Sequence, residues 1–563
     1  MPCEVYLDVR ELECDQLRPA RMGRVGAMPR WERTGQRRMI EQRFVVLQND
    51  FVRAEIAIDL GGRLWRLIDR VRGGDVLGSP ESIPVHDGEP WGATVRHGIV
   101  FRVSGEFGGA ALGPVTFRIH EPTDEGDAAS VVLFALEAGT ALSWHLSYDL
   151  QPEEGAVRVA QRAFNRDLGW TKTWSGWRVH GARQGFRAAD AAIFWTSHGH
   201  VVACGDLGGF EITEDEDAVQ ATRHRGELFE PRASDSWEVS LWPVAVTEPL
   251  NVAGAGLAGC LGNSGLEVFA SRPFEGTKLV VQTRDHGALE APITIGPSQP
   301  VRVDHAVFPS PPVAFSVMAG GAVLLGSTPS AGVADPRLPA ASPSIDFRTA
   351  SNEQLRGAAR HRSMRHPALL ALAQSALRQN RLDVAATLVD DALLYDSEDP
   401  LAWWLRAAVA RLANDGNQVG EAALANAHYL APLEPLLRAE ALLASPVVEG
   451  SRPNPLLEPL ADDPDALIEA ACQLLDAGMD ESAARWIDEA RRHVDLPMLR
   501  VLLADLLLRQ SRFEVEAAQW VASLDGQPLT PPYPWRRAER EAVERLRSRF
   551  PDSEPLQVLE AMW

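Results

Sequence analysis

Cysteine is scarce in this chain, and no two cysteines form a Cys-x-x-Cys motif. A disulfide framework would need an even, clustered set of cysteines, and a zinc ribbon would need paired ligands. Neither pattern is met by the five cysteines, which are Cys3, Cys14, Cys204, Cys260 and Cys472. The sequence therefore predicts no disulfide scaffold and no zinc ribbon, as is typical of a protein from a reducing compartment.

Long hydrophobic runs are also lacking. The longest, such as residues 501–508, are interrupted by Asp505 and are too short to cross a bilayer. The N-terminal residues MPCEVYLDVRELECDQ are charged and contain no apolar segment of the kind found in signal peptides. We therefore expect a soluble, cytoplasmic protein.

Excess positive charge and nucleotide-binding motifs are missing as well. The formal net charge is −22, which argues against nucleic acid or a membrane as the main partner, because both require a basic surface. There is no Gly-x-Ser-x-Gly elbow, no phosphate-binding loop and no Gly-x-Gly-x-x-Gly motif. The sequence thus argues against a serine hydrolase, a nucleotide enzyme and a redox enzyme, and we expect no cofactor.

The clearest positive signal is a hairpin in residues 44–70. Apolar and polar side chains alternate through residues 52–59, the pattern of a half-buried strand, and Gly61-Gly62 then supplies a tight turn. Further strands are predicted at short spacing up to residue 244, including residues 142–150 and 157–165, with no helical period between them. About 200 residues of this pattern predict a large antiparallel two-sheet sandwich.

Composition divides the chain into four predicted regions. Residues 1–40 are rich in Arg, Gly and Pro and are expected to form an extended arm, and residues 41–246 form the sandwich. Residues 247–345 read either as a small second β-domain or as further strands of the sandwich. They end in a Pro/Ala/Ser-rich linker at 330–344. Residues 346–563 have the apolar spacing of helices.

The helical region repeats with a period of 33 residues, from Pro367 to Pro400 and again from Pro464 to Pro497. Each unit reads as two helices, with small residues early in the second one: Ala385, Ala386, Ala483 and Ala484. This pattern resembles tetratricopeptide repeats, whose paired helices stack into a solenoid. Such a solenoid would hold a protein partner or mediate homo-oligomerisation.

The segment LQNDFVRAEIAIDLGGRLWRLIDR resembles the start of the bacterial domain of unknown function 5107 (DUF5107). WGATVRHGIVFRV and QRAFNRDLGWTKTWSGWRVHGA resemble later segments, so that the resemblance touches residues 41–180 and 350–563. It implies a galactose-mutarotase-like β-supersandwich, followed by tetratricopeptide repeats, that binds a sugar on the concave face of a sheet. Val100 and Arg102 stand where the family has Glu and Asn.

Three clusters contain residue types suited to a sugar site. The loop at 86–97, the segment at 174–180 and the segment FWTSHGH at 194–200 supply aromatic rings, arginines, histidines and carboxylates. Aromatic faces stack on sugar rings, and a carboxylate or imidazole of near-neutral pKa transfers protons. His198 and His200 have a spacing that can bind metal, but no further ligand stands beside them, so a hydrogen-bonded turn is expected and no metal site is proposed.

The candidate catalytic residues are Glu89, Glu106, His97 and His180. The candidate substrate-binding residues are Trp91, Arg96, Arg102, Trp174, Trp177 and Arg178. Alternation along a strand would put Trp174, Arg178 and His180 on one face. Three alternatives stay open: an ordinary polar loop at 86–97, core packing for the tryptophans, and a rim salt bridge between Arg102 and Glu106.

Two functions follow. The first is a carbohydrate-active protein that binds a mono- or oligosaccharide, with acid/base glycoside hydrolysis or sugar epimerisation as the reaction if it is an enzyme. The second is a non-catalytic sugar-binding or tetratricopeptide scaffold protein. The replacement of the family's Glu by Val100 favours the second, and the charged and aromatic residues at 86–106 favour the first.

Overall fold

The computed structural model describes residues 2–25, 28–78, 80–88, 92–102, 113–124, 126–137, 142–171, 174–188, 191–205, 207, 210–215, 218–224, 229–246, 248–262, 265–326, 345–361, 364–414, 416–445, 457, 460, 463–510, 513–526 and 536–561. The described chain is built of β-strands up to residue 326 and of helices from residue 352 onward. The predicted linker at 330–344 lies outside the described residues.

The strands, in chain order, are β1 (Glu4–Val25), β2 (Met28–Gln48), β3 (Val52–Ala57), β4 (Arg63–Asp69), β5 (Gly74–Asp75), β6 (Ser82–Ile83), β7 (Val85–Gly88), β8 (Gly92–Val95), β9 (Ile99–Arg102), β10 (Thr116–His120), β11 (Ala129–Leu136), β12 (Leu142–Leu150), β13 (Val157–Asn165), β14 (Trp174–His180), β15 (Ala182–Ala188), β16 (Ala191–Thr196), β17 (Gly199–Gly205), β18 (Phe210–Asp215), β19 (Ala218–His224), β20 (Ser234–Val244), β21 (Val252–Gly254), β22 (Leu257–Leu261), β23 (Gly265–Ala270), β24 (Phe274–Thr283), β25 (Gly287–Ile295), β26 (Val301–Asp304), β27 (Pro312–Ala319) and β28 (Ala322–Gly326).

The helices are α1 (Asn352–Ala358), α2 (Arg365–Arg378), α3 (Leu382–Leu393), α4 (Pro400–Ala413), α5 (Gly416–Leu430), α6 (Pro435–Ala444), α7 (Pro464–Asp476), α8 (Asp480–His493), α9 (Pro497–Arg509), α10 (Glu514–Ala522), α11 (Arg537–Arg549) and α12 (Glu554–Glu560). Among the described helices, none is long and apolar enough to cross a membrane.

Two large sheets form the N-terminal sandwich. Within the described residues, the first sheet has ten strands, in the order β18-β19-β14-β9-β4-β3-β2-β1-β6 with β5 beside β4. The second has eight, in the order β10-β11-β12-β13-β20-β17-β16-β15. Their facing side chains form one core that contains Leu64, Leu133, Leu146, Trp177 and Val219. The predicted antiparallel two-sheet sandwich is confirmed.

The Gly61-Gly62 turn holds the two sheets close together as well as reversing the chain. Both glycines have positive φ, 74° and 68°, a conformation that side chains rarely adopt. A Cβ atom at Gly62 would lie 2.4 Å from Cδ1 of Leu133 in the second sheet. Nearby, the Tyr148 hydroxyl donates a hydrogen bond of 2.7 Å to the Gly62 carbonyl. The turn is therefore a packing point of the sandwich.

Residues 1–40 differ from the predicted arm. They belong mostly to β1 and β2, a long hairpin whose register runs from Glu4 opposite Gln48 to Val25 opposite Met28. Its second strand pairs with β3, so the hairpin extends the first sheet. Most side chains near residues 33–41 are exposed or half-exposed. Because both faces of the hairpin meet solvent there, its sequence carries no alternating hydrophobic signal.

Residues 248–326 form two further four-stranded sheets of their own, β21-β22-β23-β26 and β25-β24-β27-β28 in the described part of the chain. Their side chains enclose a separate core that includes Leu266, Val268, Leu279 and Val317. A further hydrophobic cluster, which includes Trp242, Cys260 and Phe269, joins this unit to the sandwich. Within the described residues, these strands pair with one another and not with the two sheets of the sandwich.

The C-terminal region consists of helical pairs that share one core with the sandwich. That core joins Phe134 and Phe164 of the second sheet to buried residues of the helices such as Leu401, Leu436 and Trp486. Several helices begin with an acidic residue followed by proline, the arrangement in which a carboxylate caps free N–H groups and proline occupies the first turn. The predicted α-helical, repeat-like region is confirmed.

Candidate functional site

The predicted site residues of β9 and β14 lie on neighbouring strands of the ten-stranded sheet. In β14, Trp177 and Val179 point into the core between the sheets. The alternation of a strand therefore turns Gly176, Arg178 and His180 to the opposite, outer face. This face, formed by β9, β14, β19 and β18, is called the outer polar face below.

Cross-strand register orders the outer polar face into rows. One row contains Val100, Arg178, Gln220 and Thr213. The next contains Arg102, Gly176, Thr222 and Glu211. Directly paired residues of an antiparallel sheet stand about 5 Å apart, so guanidinium, amide, hydroxyl and carboxylate groups are close enough to contact one small ligand.

Gly176 lies tightly against the neighbouring strand β19. A Cβ atom there would lie 2.2 Å from the Ala221 carbonyl oxygen and 3.0 Å from Cα of Thr222. Only glycine fits between these strands, and the residue is buried. The register pairs Gly176 with Thr222 on one side and with Arg102 on the other.

His97 lies at the start of β9 and is held by Trp65. Its Nε2 is 2.9 Å from the Trp65 carbonyl oxygen, and the two rings meet edge to face with centroids 4.5 Å apart. The residue is only 8% exposed. Burial lowers the pKa of His97 to about 4, so the ring is neutral at pH 7.

His180 is the second buried imidazole of this region, with 4% exposure. Its backbone N–H donates to the Gly98 carbonyl at 3.0 Å, which ties the end of β14 to the residue that follows His97. Arg96 is half-buried, and its backbone N–H donates to the Pro84 carbonyl at 3.2 Å. The structure thus gathers Arg96, His97, Arg178 and His180 around β9 and β14.

Trp177 lies in the core and not at a surface. It is 1% exposed, and its ring centroid lies 4.8 Å from that of Phe210 and 5.2 Å from that of Trp237. No ring face is left for a sugar in this packing. Trp177 is therefore a core residue and not a platform that stacks on a substrate. Core packing was the alternative left open for the tryptophans.

Several predicted site residues fall partly or wholly outside the described part of the chain. Glu89, Trp91 and Glu106 lie outside the described residues, as do the side chains of Arg102 and Trp174.

The predicted turn at His198 and His200 is present. The Thr196 hydroxyl accepts a hydrogen bond from the His198 N–H, and His200 Nε2 is 2.8 Å from the Glu248 carbonyl oxygen. Within the described part of the chain, no group of three His, Cys, Asp or Glu residues could hold a metal ion.

Buried ion pairs join the sandwich to the helices at the seam between them, and the sequence did not predict these pairs. Arg166 donates to Glu434 at 2.6 Å and also to Glu469. Arg232 donates both ends of its guanidinium to Asp399, at 2.7 and 2.9 Å. An acidic residue before proline in Asp399-Pro400 and Glu434-Pro435 was the available sequence signal, because it marks a helix N-terminus that holds a carboxylate.

The pKa values of two ionisable groups at this seam are shifted by their partners. Burial favours the neutral acid of Glu469, but Arg166 and Arg536 beside it outweigh burial and lower its pKa to about 2. Burial likewise acts against the charged form of His366, but its hydrogen bond to Asp399 prevails and raises the pKa above the ordinary value. Glu469 is therefore charged at neutral pH, and both groups are paired inside the protein.

Comparison with known proteins identifies no family for this chain. No family model matches it, and no curated protein matches it. Among solved structures, a TPR-domain protein from Parabacteroides distasonis aligns with 97% of this chain and 95% of its own, at 12% identity and a TM-score of 0.37.

Sugar-related structures align with a smaller part of the chain. A putative aldose 1-epimerase from Klebsiella pneumoniae covers 36% of this chain and 79% of its own, at 9% identity and a TM-score of 0.26. A galactose mutarotase-like protein from Clostridium acetobutylicum covers 36% and 96%, at 10% identity and a TM-score of 0.26. Scores and identities this low establish no family, so the resemblance to DUF5107 stays a prediction.

Proposed function

We propose that the protein binds a mono- or oligosaccharide on the outer polar face. The observation that carries the proposal is the pair of rows around Gly176, in which Arg178, Gln220, Thr222 and Glu211 stand on adjacent strands. Guanidinium and amide groups donate to sugar hydroxyls, and hydroxyl and carboxylate groups accept from them. A rigid sheet that holds such groups at fixed spacing suits a ligand with many hydroxyls.

Two of the residues proposed for binding, Arg102 and Arg178, belong to these rows. Arg178 is half-buried, with Val100 and Gln220 as its cross-strand neighbours. A half-buried guanidinium binds a neutral hydroxyl or a sugar carboxylate more strongly than an exposed one, because water competes less for it. Arg96, Trp91 and Trp174 are proposed to complete the site at its margin.

Binding without turnover is the function that we favour. A proton-transfer residue works best with a pKa near the working pH, whereas the pKa of His97 is about 4 and its Nε2 is bonded to a carbonyl. Epimerisation or glycoside hydrolysis is the second candidate. It is favoured by Glu211, an exposed carboxylate on the same face, together with His180, Glu89 and Glu106 as proposed acid/base partners.

Calorimetry and thermal shift with a panel of mono- and disaccharides test this proposal on the full chain. We expect a sugar to raise the melting temperature of the wild type, and Arg178→Gln to weaken its binding about ten-fold, the loss of one charged hydrogen bond. Arg183→Gln, an exposed arginine of β15, is the matched control and should bind as the wild type does.

Polarimetric mutarotation and aryl-glycoside hydrolysis assays separate the two candidates. A sugar that binds without turnover excludes the enzyme. Turnover that is lost in Glu211→Gln supports acid/base chemistry on this face. If no sugar shifts the melting temperature, both carbohydrate functions fail and a scaffold role remains.

A further inference from the structure

A cavity lies at the seam between the sandwich and the helices. It measures about 270 Å³, close to the lower size of small-molecule sites, which commonly occur where structural units meet. The sandwich contributes the segment from Arg166 to Thr171, the connection before α1 contributes Phe347 and Arg348, and the helices contribute residues of α2, α7 and α11.

Positive charge is concentrated in this cavity although the whole chain is acidic. Six arginines line it, namely Arg166, Arg348, Arg378, Arg536, Arg537 and Arg540, against three carboxylates, Asp167, Glu469 and Asp476. The formal net charge of the chain is −22. Such a lining favours a negatively charged occupant only where an arginine has no carboxylate partner within the protein.

Four of the six arginines are already paired. Arg166 and Arg536 hold Glu469 between them. Arg348 pairs with Asp167 at 2.8 Å, and Arg537 pairs with Asp476 at 2.8 Å. These arginines are neutralised within the protein and shape the wall of the cavity.

Arg378 and Arg540 remain. Arg378, at the end of α2, donates to the Asp476 carbonyl oxygen at 2.6 Å and forms no close ion pair with a carboxylate among the described residues. Arg540 is exposed on α11 and makes no ion pair with any residue that the structure describes. Burial and the positive charge of Arg537 lower the pKa of Arg378, and the more distant carboxylates of Asp476 and Glu541 offset this only in part.

Neutral donors stand next to these two arginines. Gln374 and Ser375 precede Arg378 on α2 by about one turn and line the same cavity, as does Asn352. An arginine fork with amide and hydroxyl donors beside it is the set of groups that binds the oxygens of a phosphate or carboxylate. Trp170 also lines the cavity and gives it an apolar wall. Its indole N–H donates a hydrogen bond to the Ile345 carbonyl at 3.3 Å.

We propose that this cavity binds a small organic anion, whose phosphate or carboxylate group is held by Arg378 and Arg540. The ligand touches the sandwich, the connection before α1 and several helices at once. Its binding therefore stabilises the seam, since a ligand that binds only the folded arrangement shifts the equilibrium toward it. The site is separate from the outer polar face and does not depend on the sugar-binding proposal.

Isothermal titration calorimetry and thermal shift on the full chain test the site, with inorganic phosphate and malonate as probes at constant ionic strength. We expect saturable binding and a higher melting temperature with at least one probe. Phosphate alone, malonate alone or both would identify the preferred anion. Absence of saturable binding by either probe overturns the proposal.

Variants locate the site. Arg540→Gln removes an exposed side chain that makes no ion pair within the described part of the chain, so the protein should fold as the wild type does. Its affinity for the probe should fall about ten-fold. Arg378→Gln with Arg540→Gln should abolish binding. Arg381→Gln, an exposed arginine one turn beyond Arg378 and outside the cavity, is the matched control. Equal affinity in Arg540→Gln and Arg381→Gln contradicts the proposal, and Arg178→Gln should leave anion binding unchanged.

Discussion

At the scale of single residues, His97 shows how packing sets the chemistry of a side chain. The imidazole is closed in by Trp65 and bonded to that residue's carbonyl, so the neutral form is the one that the fold accommodates. Protonation would require a charge in a site that is 8% exposed. The physical consequence is a pH dependence of stability.

We predict that His97 makes the folded protein less stable as pH falls from 6.5 to 4. The unfolded chain takes up a proton near the ordinary pKa of 6.5, whereas folded His97 takes it up only near 4. Across that window the unfolded state binds more protons, so stability is lost on acidification, by up to about 1.4 kcal/mol per pH unit. Urea midpoints measured at several pH values test this.

The matched variant for that measurement is His97→Gln, whose amide can still donate to the Trp65 carbonyl but does not titrate. Its urea midpoint should fall less steeply between pH 6.5 and 4 than that of the wild type. Identical slopes in the two proteins would show that His97 is not a source of the pH dependence.

The parts of the candidate site that follow from local geometry were predictable, and those that depend on tertiary packing were not. Alternation places Arg178 and His180 on one face from sequence alone. Burial of Trp177 was not predictable, since a tryptophan near arginines suits both a core and a sugar platform. The seam pairs Arg166–Glu434 and Arg232–Asp399 join residues more than 160 positions apart, a distance at which sequence patterns carry no pairing information.

At the scale of elements, boundaries were predictable wherever one face of the element is buried. The strands predicted at 142–150 and 157–165 coincide with β12 and β13, whose burial alternates along much of their length. The β1–β2 hairpin was missed because its side chains near residues 33–41 are exposed or half-exposed, and because the sequence of its far end includes Pro, Gly and many Arg residues. A buried face thus leaves a periodic signal in the sequence, and a solvated hairpin does not.

Helix α5 offers a test of how closely the repeats pack. Ala427 is 0% exposed, whereas Ala425 on the same helix is exposed. We predict that Ala427→Leu destabilises the protein by about 2 kcal/mol, because three added carbons have no space in a packed helix interface. Ala425→Leu should change stability by less than about 0.5 kcal/mol. Urea denaturation followed by circular dichroism compares the two, and equal effects would show that α5 packs loosely.

At the scale of the whole molecule, the sandwich and the helices form one body through buried charge. Arg166, just after β13, reaches Glu434 at the N-cap of α6 and Glu469 inside α7. Arg232, just before β20, reaches Asp399 at the N-cap of α4. The two N-cap carboxylates lie where the helix dipole favours negative charge. The arrangement fixes where the repeats sit on the sandwich, and with it the shape of the cavity beside Glu469.

Asp399 is the residue on which that arrangement can be tested, since its buried carboxylate accepts from Arg232 and His366 and from the N–H groups of Leu401 and Ala402. We predict that Asp399→Asn lowers the free energy of unfolding by about 3 kcal/mol, because it leaves the Arg232 charge buried without a counter-ion. Asp390→Asn removes an exposed pair with Arg406 and should cost well under 1 kcal/mol. Urea midpoints of the two variants decide the matter: if they fall equally, the seam is held by apolar packing and its ion pairs are dispensable.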